Sequence, residues 1–281
     1  FRHAVIVAAA SHGRFAPTHA MTTPSHTHTP LTILTGASRG MGLAMAHQLC
    51  AQANAQLLCI SRQSAPALDS WAASKGASLV QWRADLAQPI PVAQKLQAWL
   101  QQIDPSQLAS ATLINNAGIL LPGSIETATL AQFRQLMQVN ADSCFLGCQQ
   151  GVAAMKERGG SIVNMASVST WLPIEGYAGY SASKAAVAAL TRATALYCRK
   201  NGLAIRVNSL HPDGIYTPMM QASAPGVPAH YLMFDPKANP KGRATMPEHI
   251  AKVLLFLASD DSMAISGAEI KADSAILGMG L

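Results

Sequence analysis

Leu31-Thr-Ile-Leu-Thr-Gly-Ala-Ser-Arg-Gly-Met-Gly42 is the stretch on which the fold turns. Leu31–Thr35 is a short apolar run, and Gly36, Gly40 and Gly42 follow it directly, with a helix expected from the last two. Glycines let the backbone turn tightly and approach a ligand, and the free N–H groups at a helix N-terminus favour a phosphate. The spacing T-G-x-x-x-G-x-G differs from the G-x-G-x-x-G dinucleotide fingerprint. Its place directly after a first strand gives it the same sense.

Outward from this turn, short apolar runs alternate with helical stretches, the pattern of a parallel sheet covered on both faces. Strands are predicted at Leu31–Thr35, Gln56–Ile60, Ser78–Trp82, Ala111–Asn115, Gly160–Met165, Ala204–Leu210 and Ala268–Lys271. Helices are predicted near Gly40–Ala53, Ala65–Lys75, Pro91–Ile103, Leu130–Glu157, Ala178–Asn201 and Pro247–Ala258. This alternation describes one α/β domain over 31–281: a Rossmann-type, doubly wound, seven-stranded parallel sheet with helices on both faces. Residues 1–30, rich in Ala, His, Thr and Pro, read as a flexible tail, and Met21 is a plausible start that would make residues 1–20 non-native. Met219–Ala244 breaks the rhythm and mixes Tyr231, Leu232, Met233 and Phe234 with turn residues, as a flap over an apolar substrate would.

Composition narrows the function classes. With 49% hydrophobic and 12% charged residues the chain can build a sizeable core and is not disordered. No apolar run reaches the roughly 18 residues of a membrane helix. The net charge of +6 has no dense Lys/Arg block or aromatic stripe behind it, so nucleic acid is not an expected partner. Five cysteines without a C-x-x-C pair suit reduced thiols in a cytoplasmic protein. Cys144 and Cys148 share a helix face but lack further ligands at metal spacing, so no metal is expected.

The loops after the strands carry the binding chemistry. Asp85 and Leu86 close the third strand, where the carboxylate can accept from an adenine amino group. Asn115, Ala117 and Gly118 close the fourth, where small residues let the chain pass close to a ribose. An acid after the second strand would hold a ribose diol and repel a 2′-phosphate. Here that position reads Cys59-Ile-Ser-Arg62, and no acid occurs before Asp69. Ser38, Arg39, Ser61 and Arg62, with Met41 in the same turn, therefore predict NADP(H) in preference to NAD(H).

Tyr180 and Lys184 stand one turn apart on a single helix face. A phenol with a pKa near 10 is too weakly acidic for base work at neutral pH. An ammonium about 4 Å away would lower that by about two or three pH units at an effective dielectric near 20. Tyr180 would then exchange a proton with a substrate oxygen while hydride moves at the adjacent carbon, with Ser167 donating to the same oxygen. Asn140 interrupts the helix Leu130–Glu157 and could hold a water leading from Lys184 to solvent.

With T-G-A-S-R-G-M-G, N-N-A-G, Asn140, Ser167 and Y-x-x-x-K in this order, the chain resembles the short-chain dehydrogenase/reductase superfamily from Leu31 to Leu281. The likeness is nearest to bacterial 3β/17β-hydroxysteroid dehydrogenases, through Asn164-Met-Ala-Ser-Val-Ser-Thr-Trp-Leu-Pro-Ile-Glu175 and His211-Pro-Asp-Gly-Ile-Tyr-Thr-Pro-Met219. The resemblance implies an Asn140–Ser167–Tyr180–Lys184 tetrad, nicotinamide contacts at Ile215 and Thr217, and a homotetramer or homodimer. It also implies a ketone or secondary alcohol as substrate, steroid-like or otherwise bulky and apolar. Trp171, Tyr177, Met219 and Met233 are the candidate pocket. Ser61-Arg62 departs from the acid that the NAD-using steroid enzymes resemble, and Pro212-Asp213 stands where the superfamily often has Pro-Gly. The alternatives are a 3-oxoacyl-thioester reductase of fatty acid synthesis and, more remotely, a noncatalytic nucleotide sensor.

Overall fold

The computed structural model describes residues 31–103 and 111–278; the predicted tail, 1–30, lies outside them. The strands with continuous apolar runs become the sheet's buried centre. They are β1 (Leu31–Thr35), β2 (Gln56–Ser61), β4 (Ala111–Asn115), β5 (Gly160–Met165) and β6 (Ile205–Pro212). β3 (Ser78–Arg83) and β9 (Glu269–Ala272) form the edges and are more exposed. The order is β3-β2-β1-β4-β5-β6-β9, parallel throughout.

Successive residues of each strand face opposite layers, as the two-residue period requires. Leu34, Ile114, Val163 and Leu210 pack in one layer with α1 (Gly40–Cys50), α2 (Pro66–Ser74) and α9 (Pro247–Ala258). Ile33, Leu113, Ile162 and Val207 pack in the other with α3 (Pro89–Leu100), α5 (Ser143–Met155) and α6 (Ala178–Lys200). All five cysteines are buried and free. No group of His, Cys, Asp or Glu among the described residues could hold a metal. None of the described helices is long and apolar enough to cross a membrane.

Two departures from the predicted elements matter for the site. The single helix read over Leu130–Glu157 is α4 (Leu130–Leu136), a π-helical turn Met137–Asp142, and α5. A capping box at Thr129 and Gln132 starts α4, and the π turn carries Asn140 into the interior. The flap is also less irregular than its composition suggests. The excursion begins earlier than predicted, after β6, and holds β7 (Gly214–Ile215), α7 (Pro218–Ser223), α8 (Ala229–Leu232) and β8 (Ala244–Thr245), with β7 and β8 paired in parallel at its neck.

Candidate active site

β1 pairs with β2 on one side and β4 on the other, so the winding reverses there and a crevice opens at the strands' C-terminal ends. A cavity of about 740 Å³ occupies it. It runs from the ends of β2 and β3, past the glycine turn, to Ser167, Tyr180 and the flap.

One side is built mainly from backbone. Gly36 (φ 73°) and Gly40 (φ 54°) take left-handed conformations open to glycine. A Cβ on Gly42 would collide with the Gly36 carbonyl, so the turn closes only without one. Gly36 N donates to Ile60 O at 2.8 Å and Ala37 N to Ser61 Oγ at 2.8 Å, which pins the turn to β2. Thr35 Oγ1 accepts from Asn116 N and Ala117 N, both at 3.0 Å, which pins it to the loop after β4. No side chain caps the start of α1 and no acid lies in its first turn, leaving its N–H groups to an anion.

Ser38, Arg39, Met41, Ser61, Arg62, Asp85, Leu86, Ala117 and Gly118 all line this cavity. So does Arg83, which the sequence reading missed. The β2–β3 register sets Ser61 opposite Arg83, so that Arg62 and Arg83 line the same recess. Arg39, Arg62 and Arg83 are exposed and make no ion pair with a described residue. Arg83 was legible only once β3 was placed next to β2. Asp85 uses Oδ1 to accept from Ala87 N at 3.0 Å, an Asx turn.

Asn115 does not reach the cavity. Its amide turns into the sheet and donates to Asn164 Oδ1 at 2.9 Å, whose own amide donates to Thr191 Oγ1 at 2.9 Å. This buried chain links β4, β5 and α6, so Asn115 is a structural bridge rather than a ribose contact.

At the other end, Lys184 is buried and its Nζ donates to Met165 O at 2.7 Å, standing 5.9 Å from the Tyr180 ring centroid. Burial pushes the ammonium down to about 8. Burial also raises the Tyr180 phenol, and a hydrogen bond with Ser167 pulls it partly back. The direction is opposite to the lowered phenol expected from the sequence: desolvation outweighs the hydrogen bond with Ser167. Ser167, Tyr180 and Lys184 line the same cavity.

Asn140 lies behind that lining. Both amide hydrogens and one lone pair of the oxygen are engaged: Oδ1 accepts from Ile119 N at 2.8 Å, and Nδ2 donates to Ile119 O at 3.0 Å and Ser183 Oγ at 2.9 Å. Ser183 Oγ in turn donates to Tyr180 O at 2.7 Å. The side chain expected to face water instead locks the loop after β4 to the helical turn bearing Tyr180. A Cβ on Gly118 would stand 3.3 Å from Asn140 Oδ1 and 3.5 Å from Lys184 Nζ, so the three converge.

His211 supports Ser167 from below. Its Nδ1 lies 3.0 Å from Ser167 O and its Nε2 2.8 Å from Ser209 Oγ. A carbonyl can only accept, so Nδ1 carries the proton and Nε2 accepts from the serine. Burial holds this imidazole down to about 4, and Lys184, Arg192 and Lys271 reinforce its neutral form.

The apolar end of the cavity is lined by Val168, Ile174, Tyr177, Met219 and Met220, with Ile215 and Thr217 leading toward the glycine turn. Two predicted pocket residues lie elsewhere. Trp171 stacks on His211 at 4.4 Å between ring centroids, beneath Lys271, and does not line the cavity. Met233 forms a strand bridge with Ala244 at the flap's neck, also away from the lining.

Residues 36–275 match the family profile described as enoyl-(acyl carrier protein) reductase. The chain belongs to the short-chain dehydrogenase/reductase family. Over 170 residues it is 69% identical to a 3-beta-hydroxysteroid dehydrogenase of Comamonas testosteroni, covering 60% of this chain and 67% of that protein. It is 34% identical over 180 residues to an NADP-dependent (R)-specific alcohol dehydrogenase of Lentilactobacillus kefiri, covering 62% and 70%. The crystal structure of levodione reductase superposes with a TM-score of 0.77 at 27% identity, over 90% of this chain and 99% of that one. An NAD-bound short-chain dehydrogenase from Mycobacterium paratuberculosis gives 0.73 at 25% identity, over 88% and 97%. This short-chain dehydrogenase/reductase is an oxidoreductase acting on CH–OH groups of small molecules with NAD(P) as acceptor.

Proposed function

We propose that the enzyme interconverts a ketone and a secondary alcohol on a bulky, apolar, hydroxysteroid-like molecule, using NADP(H) in preference to NAD(H). One observation carries this reading: a single cavity joins the Tyr180–Ser167–Lys184 cluster to three guanidiniums that pair with no described residue, with an apolar wall and flap beside the cluster. The cavity suits a dinucleotide, since Gly40, Met41 and Gly42 line it and open a helix whose first N–H groups have no side-chain cap. Gly36, Ser38, Gly40, Met41 and Gly42 would hold the phosphates; Leu86, Ala117 and Gly118 would flank the adenosine; Ile215 and Thr217 would flank the nicotinamide. Arg39, Arg62 and Arg83 would receive a 2′-phosphate. When bound, the coenzyme supplies or accepts the hydride.

The chain's own residues handle the proton and the charge. Ser167 Oγ donates to the substrate oxygen and orients the carbonyl. Tyr180 Oη gives its proton to that oxygen in reduction, or takes it in oxidation. Lys184, held by Met165 O, presents a positive charge that stabilises the phenolate as it forms. Asn140 acts as a positioning residue through Ile119 and Ser183. The hydroxysteroid and NADP-dependent alcohol dehydrogenase relatives support the substrate class and coenzyme preference.

We further propose one catalytic domain from residue 31 onward, in the cytoplasm, where five free thiols are at home. It would assemble as a dimer or tetramer through Phe133, Phe145, Leu196 and Tyr197, exposed on α4, α5 and α6. The test is a spectrophotometric panel of NADPH and NADH against steroid ketones, cyclic ketones and 3-oxoacyl thioesters. The reading predicts the highest kcat/KM with a steroid ketone and NADPH; preference for the thioester or for NADH removes the corresponding part of it.

A further inference from the structure

The flap leaves the domain after β6 and returns before α9, and one pair of side chains closes the two ends of that excursion. Asp213 follows β6 directly and Arg243 precedes β8 directly. Arg243 Nε donates to Asp213 Oδ2 at 2.8 Å and Nη2 to Oδ1 at 2.9 Å, a bidentate pair. The Asp213 side chain is 11% exposed and that of Arg243 48%. A half-open ion pair is ordinarily weak, but two parallel hydrogen bonds on a nearly buried carboxylate make the geometry specific.

Main-chain bonds extend the closure on both sides. Asp213 N donates to Ala272 O at 3.2 Å, fastening the carboxylate's own residue to β9. Gly214 N donates to Arg243 O at 3.0 Å and Tyr216 N to Thr245 O at 2.9 Å. On the flap side, Arg243 N donates to Leu232 O at 2.9 Å and Phe234 N to Ala244 O at 2.7 Å. Asn239 Nδ2 binds the carbonyls of His230, Tyr231 and Met233 at 3.0, 3.2 and 2.9 Å. The outer half of the flap is thus a wound unit attached to Arg243, while α7 brings Met219, Met220 and Ser223 to the cavity. Asp213 lines the cavity between Pro212 and Gly214, whereas Arg243 does not.

We propose that the Asp213–Arg243 pair is a positioning clamp that fixes the flap's neck, holds α7 over the apolar end of the cavity and thereby sets substrate affinity. This rests on the reading of that end as the substrate site. It also gives a physical reason for the aspartate that follows Pro212. A glycine there would keep the turn but release Arg243.

The test is a double-mutant cycle on the full chain with Asp213→Asn, Arg243→Gln, both together, and the reversed pair Asp213→Arg/Arg243→Asp. Four quantities are measured: KM and kcat for androstenedione, the Kd of NADPH by fluorescence titration, and amide hydrogen exchange over 214–245 against β1 and β4. Each single variant is expected to raise KM about three- to tenfold, leave the NADPH Kd within about twofold, and speed exchange in the flap alone. The double variant should be no worse than either single, and the reversed pair should recover exchange protection. Unchanged flap exchange in both single variants overturns the clamp, as does additivity. An effect of Asp213→Asn that Arg243→Gln does not share also overturns it, because Asp213 would then be acting on the cavity directly. If the parent enzyme turns over no steroid ketone, the substrate reading fails, while the exchange measurements still decide the clamp.

Discussion

The two ends of the cavity are made of different materials. Around the glycine turn much of the wall is main chain, fixed by hydrogen bonds from Gly36, Ala37, Asn116 and Ala117 into the sheet, and the charged side chains there include three guanidiniums. Beyond Tyr180 the walls are apolar side chains, several of them on a flap tied down at its neck. The first end offers backbone donors and charge, which one residue can rewrite. The second offers an apolar shape, which is spread over many residues and over the position of α7.

Four experiments strain this contrast. The largest effect should come from the junction itself: Tyr180→Phe is expected to lower kcat about a thousandfold, with NADPH affinity by fluorescence titration unchanged. Residual turnover within tenfold of the parent would mean another group moves the proton. Next comes the charged end, where Arg62→Asp should reduce kcat/KM for NADPH by about a hundredfold and improve that for NADH. If selectivity survives, adding Arg83→Ala shows whether the neighbouring guanidinium carries the phosphate alone.

A smaller loss is expected from the support beneath Ser167. His211→Phe keeps a ring under Trp171 but leaves the Ser167 carbonyl without its donor. About a tenfold drop in kcat should follow, with coenzyme Kd unchanged; equal losses in both would mark general destabilisation instead. The smallest effect concerns Lys184, whose folded pKa of about 8 lies below the ordinary value of 10.5. Between those values the unfolded chain binds the proton more tightly, so this residue's contribution to stability rises with pH across that window. The urea midpoint of Lys184→Met relative to the parent should therefore be highest near pH 7 and fall toward about pH 10; a pH-independent difference would remove the argument.

Much of the architecture was legible along the chain. Central strands buried on both faces declare themselves as apolar runs, and β1, β4 and β5 have the predicted bounds. Tyr180 and Lys184 were readable because a helix makes four-residue neighbours share a face. The π turn was not, since a single added residue in a helix has no compositional mark. Asn115 and Asn116 are identical in type and adjacent. Only strand alternation separates them, sending the first into the sheet and leaving the second at the turn. Trp171 looked like pocket because it is large and apolar near Ser167; the ring of His211 holds it on the outer side.

The sequence by itself determined the parallel sheet, the glycine turn and the candidate reactive side chains, because each rests on local periodicity or on glycine's freedom at one bend. Only the tertiary structure decided that Arg83 joins Arg62, that Asn140 is buried and engaged, that Tyr180 is desolvated, and that Asp213 meets Arg243. Those are distances between residues far apart in the chain, set by strand register and packing. No spacing along the sequence encodes them.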